Sequence, residues 1–306
     1  NNLIKVRTDR GYFMTRCCIN AAGIYADYVA AMPGPPEFTI HPRKGELIIF
    51  DPAGSKKHPR MPVGTLATGQ DPFTKGGGIM ITNDGNPEWG PTAIELPDRE
   101  DTSVTADGLE KVLAKFTPLI PGYKPGENVI SYFAGVRAAT YTEDFHIRPS
   151  ATLKGLINVA GIQSPGLAAA PAIAEMVVRM VKEEGIILKE NKTFQAVRRA
   201  PVRFRALSVK EKDTLIKNDP AYGRLVCRCE QVTEGEIIEA IRHPLPALTL
   251  DAIKRRTRAG MGRCQGGFCT PRLLDILARE LGLPLIKLTK NGPGSELLKK
   301  STRGRQ

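Results

Sequence analysis

The sequence predicts an α+β chain in two parts: a larger β-rich part, then a small, mostly helical part gathered around four cysteines. Three observations carry this. Through residues 1–188, short β-rich runs (IKVRT, CCIN, ELIIF, GIMIT, VISYFAGVRA and LINVAG) alternate with clusters of Gly, Pro and Asp. Between about 190 and 222 the composition turns to Lys, Arg, Asn and Pro with little periodicity, as expected of a connector over the surface. From 223 onward a Cys-x-Cys, three helical stretches and the Gly-rich GMGRCQGGFC follow.

Taken in order, TADGLEKVLAKF predicts a helix over 105–116. A longer helix, LAAAPAIAEMVVRMVKEEG, closes the β-rich part, with Leu167, Ile173, Val177, Met180 and Val181 at helical spacing and Gly185 as its stop. The second part is expected to form helices from Thr233 to Arg242, Thr249 to Gly260 and Pro271 to Gly282. The resulting organisation is a first domain over 1–188, a linker over 189–222, a cysteine domain over 223–285 and a basic tail over 286–306.

With 306 residues, 41% of them hydrophobic, the chain can build two domains and at least one sizeable core. No stretch approaches the roughly 18 consecutive apolar residues that a membrane helix needs. The opening NNLIKVRTDRGYF lacks the charged, apolar and small-residue order of a signal peptide. A soluble protein in a reducing, cytoplasmic setting is therefore expected. The net charge of +12 is unevenly placed: residues 1–188 hold 19 basic and 20 acidic side chains, whereas residues 189–306 hold 25 and 12. The basic run KRRTR lacks interleaved aromatics and reads as a solvated helix face, so nucleic acid is not an expected partner.

Cys227-x-Cys229, 34 intervening residues and Cys264-x4-Cys269 deliver four thiols from two tight loops. Four thiolates of this kind suit an iron-sulfur cluster. Gly260, Gly262, Gly266 and Gly267 let the loop turn tightly and aim backbone N–H groups at sulfur. Lys254, Arg255, Arg256, Arg258 and Arg263 offset the negative charge of a cluster. Structural zinc is the alternative set of contents, although Cys-x-Cys is an unusual half of a zinc site; buried free thiols or disulfides are the third. Cys17 and Cys18, in a β-rich run, are expected to be packed thiols.

The segment VCRCEQVTEGEI, followed by LDAIKRRTRAGMGRCQGGFC, resembles the bacterioferritin-associated-ferredoxin-type 2Fe-2S domain appended to anaerobic glycerol-3-phosphate dehydrogenase large subunits and related flavoenzymes. That resemblance covers about residues 223–285 and implies that Cys227, Cys229, Cys264 and Cys269 are the cluster ligands. In the first part, CINAAGIYAD, SYFAGVRAAT and INVAGIQSPGLAAAPAIAE resemble the FAD-dependent oxidoreductases that include glycerol-3-phosphate dehydrogenases, L-2-hydroxyglutarate dehydrogenases and D-amino-acid oxidases. HPRKGEL, DPFTKGGGIMITNDGNPEWGPTA and DREDTSVTADGLE are further matches. The fold implied is the C-terminal part of a D-amino-acid-oxidase-like FAD and substrate-binding domain.

The resemblance sets Asn20, Ala21, Ala22 and Gly23 beside the dinucleotide, and Gly161, Gln163, Ser164, Gly166 and Leu167 against the flavin ring. A helix start near Gly166 could stabilise negative charge on a reduced flavin. Arg137 would anchor the substrate's carboxylate or phosphate; pairing with Glu143 or Asp144 is its alternative fate. His41, Lys44, Lys75 and His146 are further residues that could face substrate or serve as ordinary polar residues.

Two departures bear on these expectations. The family's N-terminal strand, Gly-x-Gly-x-x-Gly turn and ribose-binding acid are missing, and GGGIM is no substitute because no helix follows it. A fragment, or a second polypeptide supplying that part, would explain this, and the chain as given is expected to hold FAD weakly. Where glycerol-3-phosphate dehydrogenases carry Gly-Gly-Lys, this chain has Gly161-Ile162-Gln163, and GIQSPGL looks closer to the L-2-hydroxyglutarate type. The implied function is FAD-dependent oxidation of a small anionic hydroxy compound, glycerol 3-phosphate or a 2-hydroxy acid such as L-2-hydroxyglutarate, with electrons passing from flavin to a 2Fe-2S cluster. An electron-acceptor protein or companion subunit is the expected partner, and any peripheral membrane association would run through it. A non-catalytic electron-transfer or zinc-stabilised interaction subunit is the competing function.

Overall fold

The computed structural model describes residues 3–53, 58–64, 76–124, 128–198 and 200–300. Lys75, one of the residues considered for substrate contact, lies outside them. The chain divides into two compact units, Asn1–Phe194 and Gln195–Gln306, and its mix of sheet and helix is the α+β expected.

The first unit opens with a hairpin, β1 (Ile4–Thr8) and β2 (Gly11–Thr15), then β3 (Cys18–Asn20) and the short helix α1 (Ala26–Ala31). A long strand follows, β4 (Ile40–Phe50), then β5 (Val63–Gly64), β6 (Gly78–Ile81), β7 (Pro87–Gly90) and β8 (Ile94–Glu95). Next come helix α2 (Ala106–Phe116) and β9 (Val129–Thr140). β10 (His146–Pro149), β11 (Leu156–Ala160) and the 18-residue α3 (Gly166–Glu183) complete the unit. β10, β11 and β3 form one small sheet, in which β11 and β3 run parallel with Asn158 opposite Asn20. The other six strands form an antiparallel sheet built on the β4–β9 ladder.

Because side chains alternate along a strand, β4 has two different faces. Ile48 and Phe50 join Ile79, Trp89, Val112 and Phe116 in the core under α2. The same face carries Glu46, fully buried, whose carboxylate accepts from the Thr105 N–H and hydroxyl at 2.8 and 3.0 Å. Thr105 in turn caps α2 by accepting from the Gly108 N–H. Lys44, also on this face, is buried and donates to Asp101 and Ser103. At the start of β4, Asp27 of α1 accepts from the Ile40 N–H and two bonds from Arg99.

The long helix α3 is less covered than its apolar spacing suggested: Val177 is buried, Ile173, Met180 and Val181 are half-buried, and Leu167 is exposed. Gly185 follows it at φ +79°, the left-handed stop expected. Cys17 and Cys18 are half-buried free thiols.

In the second unit, the stretch read as a featureless connector contains a helix, α4 (Val209–Asn218), started by a capping box between Ser208 and Glu211. It buries no residue, which is why the hydrophobic periodicity did not reveal it. Beyond it, β12 (Leu225–Cys227) pairs with β13 (Val232–Thr233), and α5 (Glu234–Arg242), α6 (Leu250–Thr257) and α7 (Thr270–Leu281) surround one core. Cys227 and Cys269 belong to that core. So does Leu288 of the basic tail, where Thr289 and Lys290 carbonyls accept from the N–H groups that begin α6.

Gly108 shows how tightly the Glu46 face is closed. A Cβ there would lie 1.5 Å from Glu46 Oε2, and a fully buried, doubly bonded carboxylate has nowhere to swing. In an open helix Gly→Ala stabilises by about 0.5–1 kcal/mol; here Gly108→Ala is expected to destabilise by about 2–3 kcal/mol through overpacking and lost bonds to buried oxygen. Urea unfolding of the two proteins checks it, and equal or greater stability of the variant would show that Glu46 is not fixed.

Candidate functional site

On the other face of β4, the ladder to β9 sets Arg43 directly opposite Arg137 and Gly45 opposite Gly135. Like charges in such cross-strand pairs repel, and the two arginines are treated differently. The Arg43 side chain is nearly fully buried and held by two carboxylates: Nη1 and Nη2 donate to Glu143 at 2.9 and 2.6 Å, and Nε donates to Glu95. Donation from Arg43 holds the Glu143 carboxyl below its usual range, burial acting against it and Gln163 with it. Burial works to raise the Glu95 carboxyl, but bonds from His41 and Arg43 outweigh it, so this carboxyl too is lowered.

Arg137 receives no such partner. It is half-buried, and its one hydrogen bond among the described residues runs from Nη2 to the Thr92 carbonyl at 3.1 Å. Burial pushes its pKa down and Arg43 adds to the effect, with Glu95 opposing. Of its alternative partners, Glu143 is held by Arg43 and Asp144 accepts from the Phe145 N–H, so no carboxylate forms an ion pair with Arg137 among the described residues. It lines a cavity of about 340 Å³ with Arg43, Thr92, Gln163 and Ser164, walled otherwise by glycines and apolar residues such as Val63, Met80 and Pro91. A cavity of that size suits a small molecule, and a poorly paired guanidinium in its wall favours an anion.

The turn after β11 supplies the cavity's other wall. Gly161 sits at φ +68°, where a Cβ would meet Thr140 and the Asp144 carbonyl, so the turn packs against the end of β9. The Gly166 N–H donates to the Gln163 carbonyl at 2.7 Å, and Gln163 Nε2 donates to Glu143 at 3.1 Å. The turn is thereby tied to the Arg43 network. Leu167 points away from any neighbour, at 94% exposure. Beside this turn lie the C-terminal ends of the parallel strands β3 and β11, β11 running two residues beyond Asn158, the partner of Asn20; ligands meet parallel strands at such ends. Asn20 there is buried, donating to the Ala26 carbonyl and to Asn158 at 2.8 and 2.9 Å, so it holds the turn while Ala21, Ala22 and Gly23 remain exposed.

Of the other polar residues considered, Lys44 is committed to Asp101 and faces away from the cavity side of β4. His41 is bound through Nδ1 to Glu95 and stacks on Tyr141, and His146 packs on Phe38. Arg43 and Thr92 are the residues that sequence reasoning passed over, and Glu143, considered there as a partner for Arg137, is paired with Arg43 instead. Strand alternation in HPRKG was the available signal, since it groups 41, 43 and 45 apart from 44.

In the second unit the four cysteines converge. Cys227 and Cys229 sulfurs lie 3.8 Å apart, Cys229 and Cys264 sulfurs also 3.8 Å, and the Cys269 thiol bonds to Cys227. The contacts run from Cys269 through Cys227 and Cys229 to Cys264, and among the described residues no three His, Cys, Asp or Glu side chains form a group that could hold a metal ion as they stand. The Cys269 bond, with help from the Gly260 and Glu230 N–H groups and against burial, lowers the Cys227 pKa; that same bond and burial raise Cys269. Burial and Cys227 raise Cys229. Burial works to raise Cys264 as well, but N–H groups of Phe268 and Gly266 outweigh it and lower that thiol. A Cβ on Gly262 would sit 2.4 Å from the Cys229 sulfur, so the loop closes on the thiols only with glycine there. Four convergent thiols, two with backbone donors, fit a [2Fe-2S] cluster.

Comparison with known proteins bears on both parts of the chain. The FAD dependent oxidoreductase family matches residues 1–180, and the BFD-like [2Fe-2S] binding domain matches residues 225–279. The chain belongs to the FAD-dependent oxidoreductase family and carries a BFD-like [2Fe-2S] binding domain, and FAD and a [2Fe-2S] cluster are the cofactors of these two families. It is 39% identical over 299 residues to a glycerol 3-phosphate dehydrogenase of Caloramator mitchellensis, covering 96% of this chain and 60% of that protein. It is 31% identical over 173 residues to a glycerol 3-phosphate oxidase of Mycoplasma genitalium, which is 55% of this chain and 43% of that one. The structure of dithionite-reduced L-α-glycerophosphate oxidase from Mycoplasma pneumoniae with FAD bound aligns at a TM-score of 0.53 and 30% identity, over 59% of this chain and 47% of the other. The chain thus spans about six-tenths of the length of the Caloramator relative. No helix among the described residues is long and apolar enough to cross a membrane.

Gly45 tests the cavity's geometry. A Cβ there would lie 2.3 Å from Arg137 Nη2 and 2.9 Å from Cζ. The end of an arginine can move, so Gly45→Ala is expected to change unfolding stability by under about 1 kcal/mol while displacing the guanidinium. Anion binding measured by calorimetry should weaken about tenfold or more. Unchanged affinity would show that Arg137 does not need its observed position.

Proposed function

We propose that this chain serves in the FAD-dependent oxidation of glycerol 3-phosphate, with electrons leaving the flavin through a [2Fe-2S] cluster held by Cys227, Cys229, Cys264 and Cys269. The observation that carries the substrate half is Arg137, a guanidinium without a carboxylate partner among the described residues, in the wall of a small cavity. Phosphate offers the charge and the paired oxygens that such a group binds. The names of the relatives favour glycerol 3-phosphate over a 2-hydroxy acid. Where the Gly-Gly-Lys lysine would stand, Gln163 braces the turn through Glu143, and the anion is left to Arg137.

When bound, the flavin supplies a two-electron acceptor and the cluster a one-electron relay. Within that chemistry, Arg137 fixes the anionic end of the substrate. The Gly161–Gly166 turn, fixed through Gln163 and Glu143, places Ser164 in the same cavity wall. The apolar residues of the wall lower the polarity around Arg137 and so strengthen the charge interaction. The positive balance of residues 189–306, 25 basic to 12 acidic, suits an acidic electron-acceptor protein or companion subunit.

Two measurements test this reading. The purified chain, kept anaerobic, is expected to contain about two irons and two sulfides and to give an S = 1/2 EPR signal on reduction. A colourless protein with one zinc would leave the interaction-subunit reading in its place. Separately, glycerol 3-phosphate should raise the melting temperature of the chain, and Arg137→Ala should weaken that binding about 10- to 100-fold, the worth of charge-assisted bonds. Equal protection by L-2-hydroxyglutarate would move the substrate to the 2-hydroxy acids.

A further inference from the structure

The residue after the second cysteine is a buried acid. Glu230 has a side chain only 8% exposed, and its Oε2 accepts from Arg258 Nε at 2.7 Å and Arg205 Nη1 at 3.2 Å. Arg258 stands at the C-terminal end of α6 with φ +73°, a left-handed position that a non-glycine residue seldom takes. It begins the turn that leads to Cys264. Arg205 lies outside both cysteine loops. The Glu230 carboxylate thus latches the Cys227-x-Cys229 loop to the loop that carries the other two thiols.

This latch also sits against sulfur. A Cβ built on Gly262 would lie 2.4 Å from the Cys229 sulfur and 3.1 Å from Glu230 Oε1, so sulfur and carboxylate flank the same point. The Glu230 N–H itself points at the Cys227 sulfur. A fixed negative charge at this range, buried from solvent, acts strongly on any group that gains an electron there. The arginine side chains temper it from the opposite side. Cluster potentials follow net charge, hydrogen bonds to sulfur and exposure, and this cluster of three side chains supplies the first of these at close quarters.

We propose that Glu230, held between Arg258 and Arg205 beside Cys229, is a positioning residue that lowers the reduction potential of the cluster and that the two arginines limit this lowering. The inference rests on the cluster reading above. Its test is a redox titration of the full chain followed by visible absorption and EPR, with iron and sulfide counted on each sample. Glu230→Gln is expected to keep about two irons and to raise the midpoint potential, so that the reduced fraction at a fixed potential rises on the order of tenfold. Arg258→Gln is expected to shift the midpoint the other way, and Arg205→Gln to do so by less.

A role confined to holding the loops together predicts a different pattern: iron is lost, or all three variants shift the potential in one direction or not at all. A common shift or none overturns the proposal, as does loss of iron from all three variants. Should Glu230→Gln lose its cluster, Arg205→Gln decides the matter alone, a lowered midpoint supporting the charge effect and an unmoved one refuting it. The native chain separates the two levels of argument. Absence of iron and sulfide there removes the cluster reading itself, whereas a normal complement with unmoved variant potentials removes only the role of Glu230.

Discussion

The opposition of Arg43 and Arg137 across the β4–β9 ladder is the constraint around which the first unit's site is arranged. Two guanidinium groups in direct register on one face repel. Glu95 and Glu143 settle one of them completely, through three donor nitrogens on Arg43. The other is left with a single carbonyl. A sheet arranged this way does not simply contain two positive charges; it holds one neutralised and keeps one available. The neutralised arginine then serves as an anchor, because Glu143 Oε2 accepts from Gln163 as well as from Arg43 and so draws the turn after β11 into the same network.

The opposite face of β4 has to accept the same backbone and does so with different chemistry. Glu46 and Lys44 are both buried there, and each finds its partners in the segment leading to α2. Charged residues on both sides of one central strand would be destabilising if unpaired. Here they fix the strand's register instead, since a slip by one residue would send Arg43 into the aromatic core and Lys44 into the cavity. The glycines follow from this crowding: Gly45 makes room for Arg137 on one side and Gly108 for Glu46 on the other.

These relations explain what was legible in the sequence. The cysteine pairs, the helix caps and the runs of β-branched residues are local signals, and the strands, the helices after Thr105, Thr233 and Thr249, and the thiol cluster stand where they indicated. Arg137 and the Gly161–Gly166 turn were likewise marked by their motifs. Arg43 was not, because its meaning depends on Glu95 and Glu143, 52 and 100 residues away. Lys44 looked equally eligible until strand alternation was applied to a defined register. The helix α4 escaped for another reason: it is stabilised by its capping box and surface pairs, with no buried face to leave a periodic trace. Leu288 escaped because the four apolar residues of the basic tail, Ile286, Leu288, Leu297 and Leu298, are too few to set a period.

The cysteine unit resolves a similar conflict between burial and charge by dividing its ligands. Cys227 and Cys269 are part of the apolar core, at 1% exposure, while Cys229 is exposed and Cys264 half-exposed. Burying all four thiols would isolate a cluster from any redox partner, and exposing all four would leave the loops without a core to hold them. With two thiols in each setting, the loops are anchored from inside and open at one edge. Phe268, 84% exposed beside buried Cys269, lies on the same loop as that edge. The buried side then needs its charges organised locally, because solvent does not screen them there. Glu230 with its two arginines is the arrangement that meets this need without opening the core.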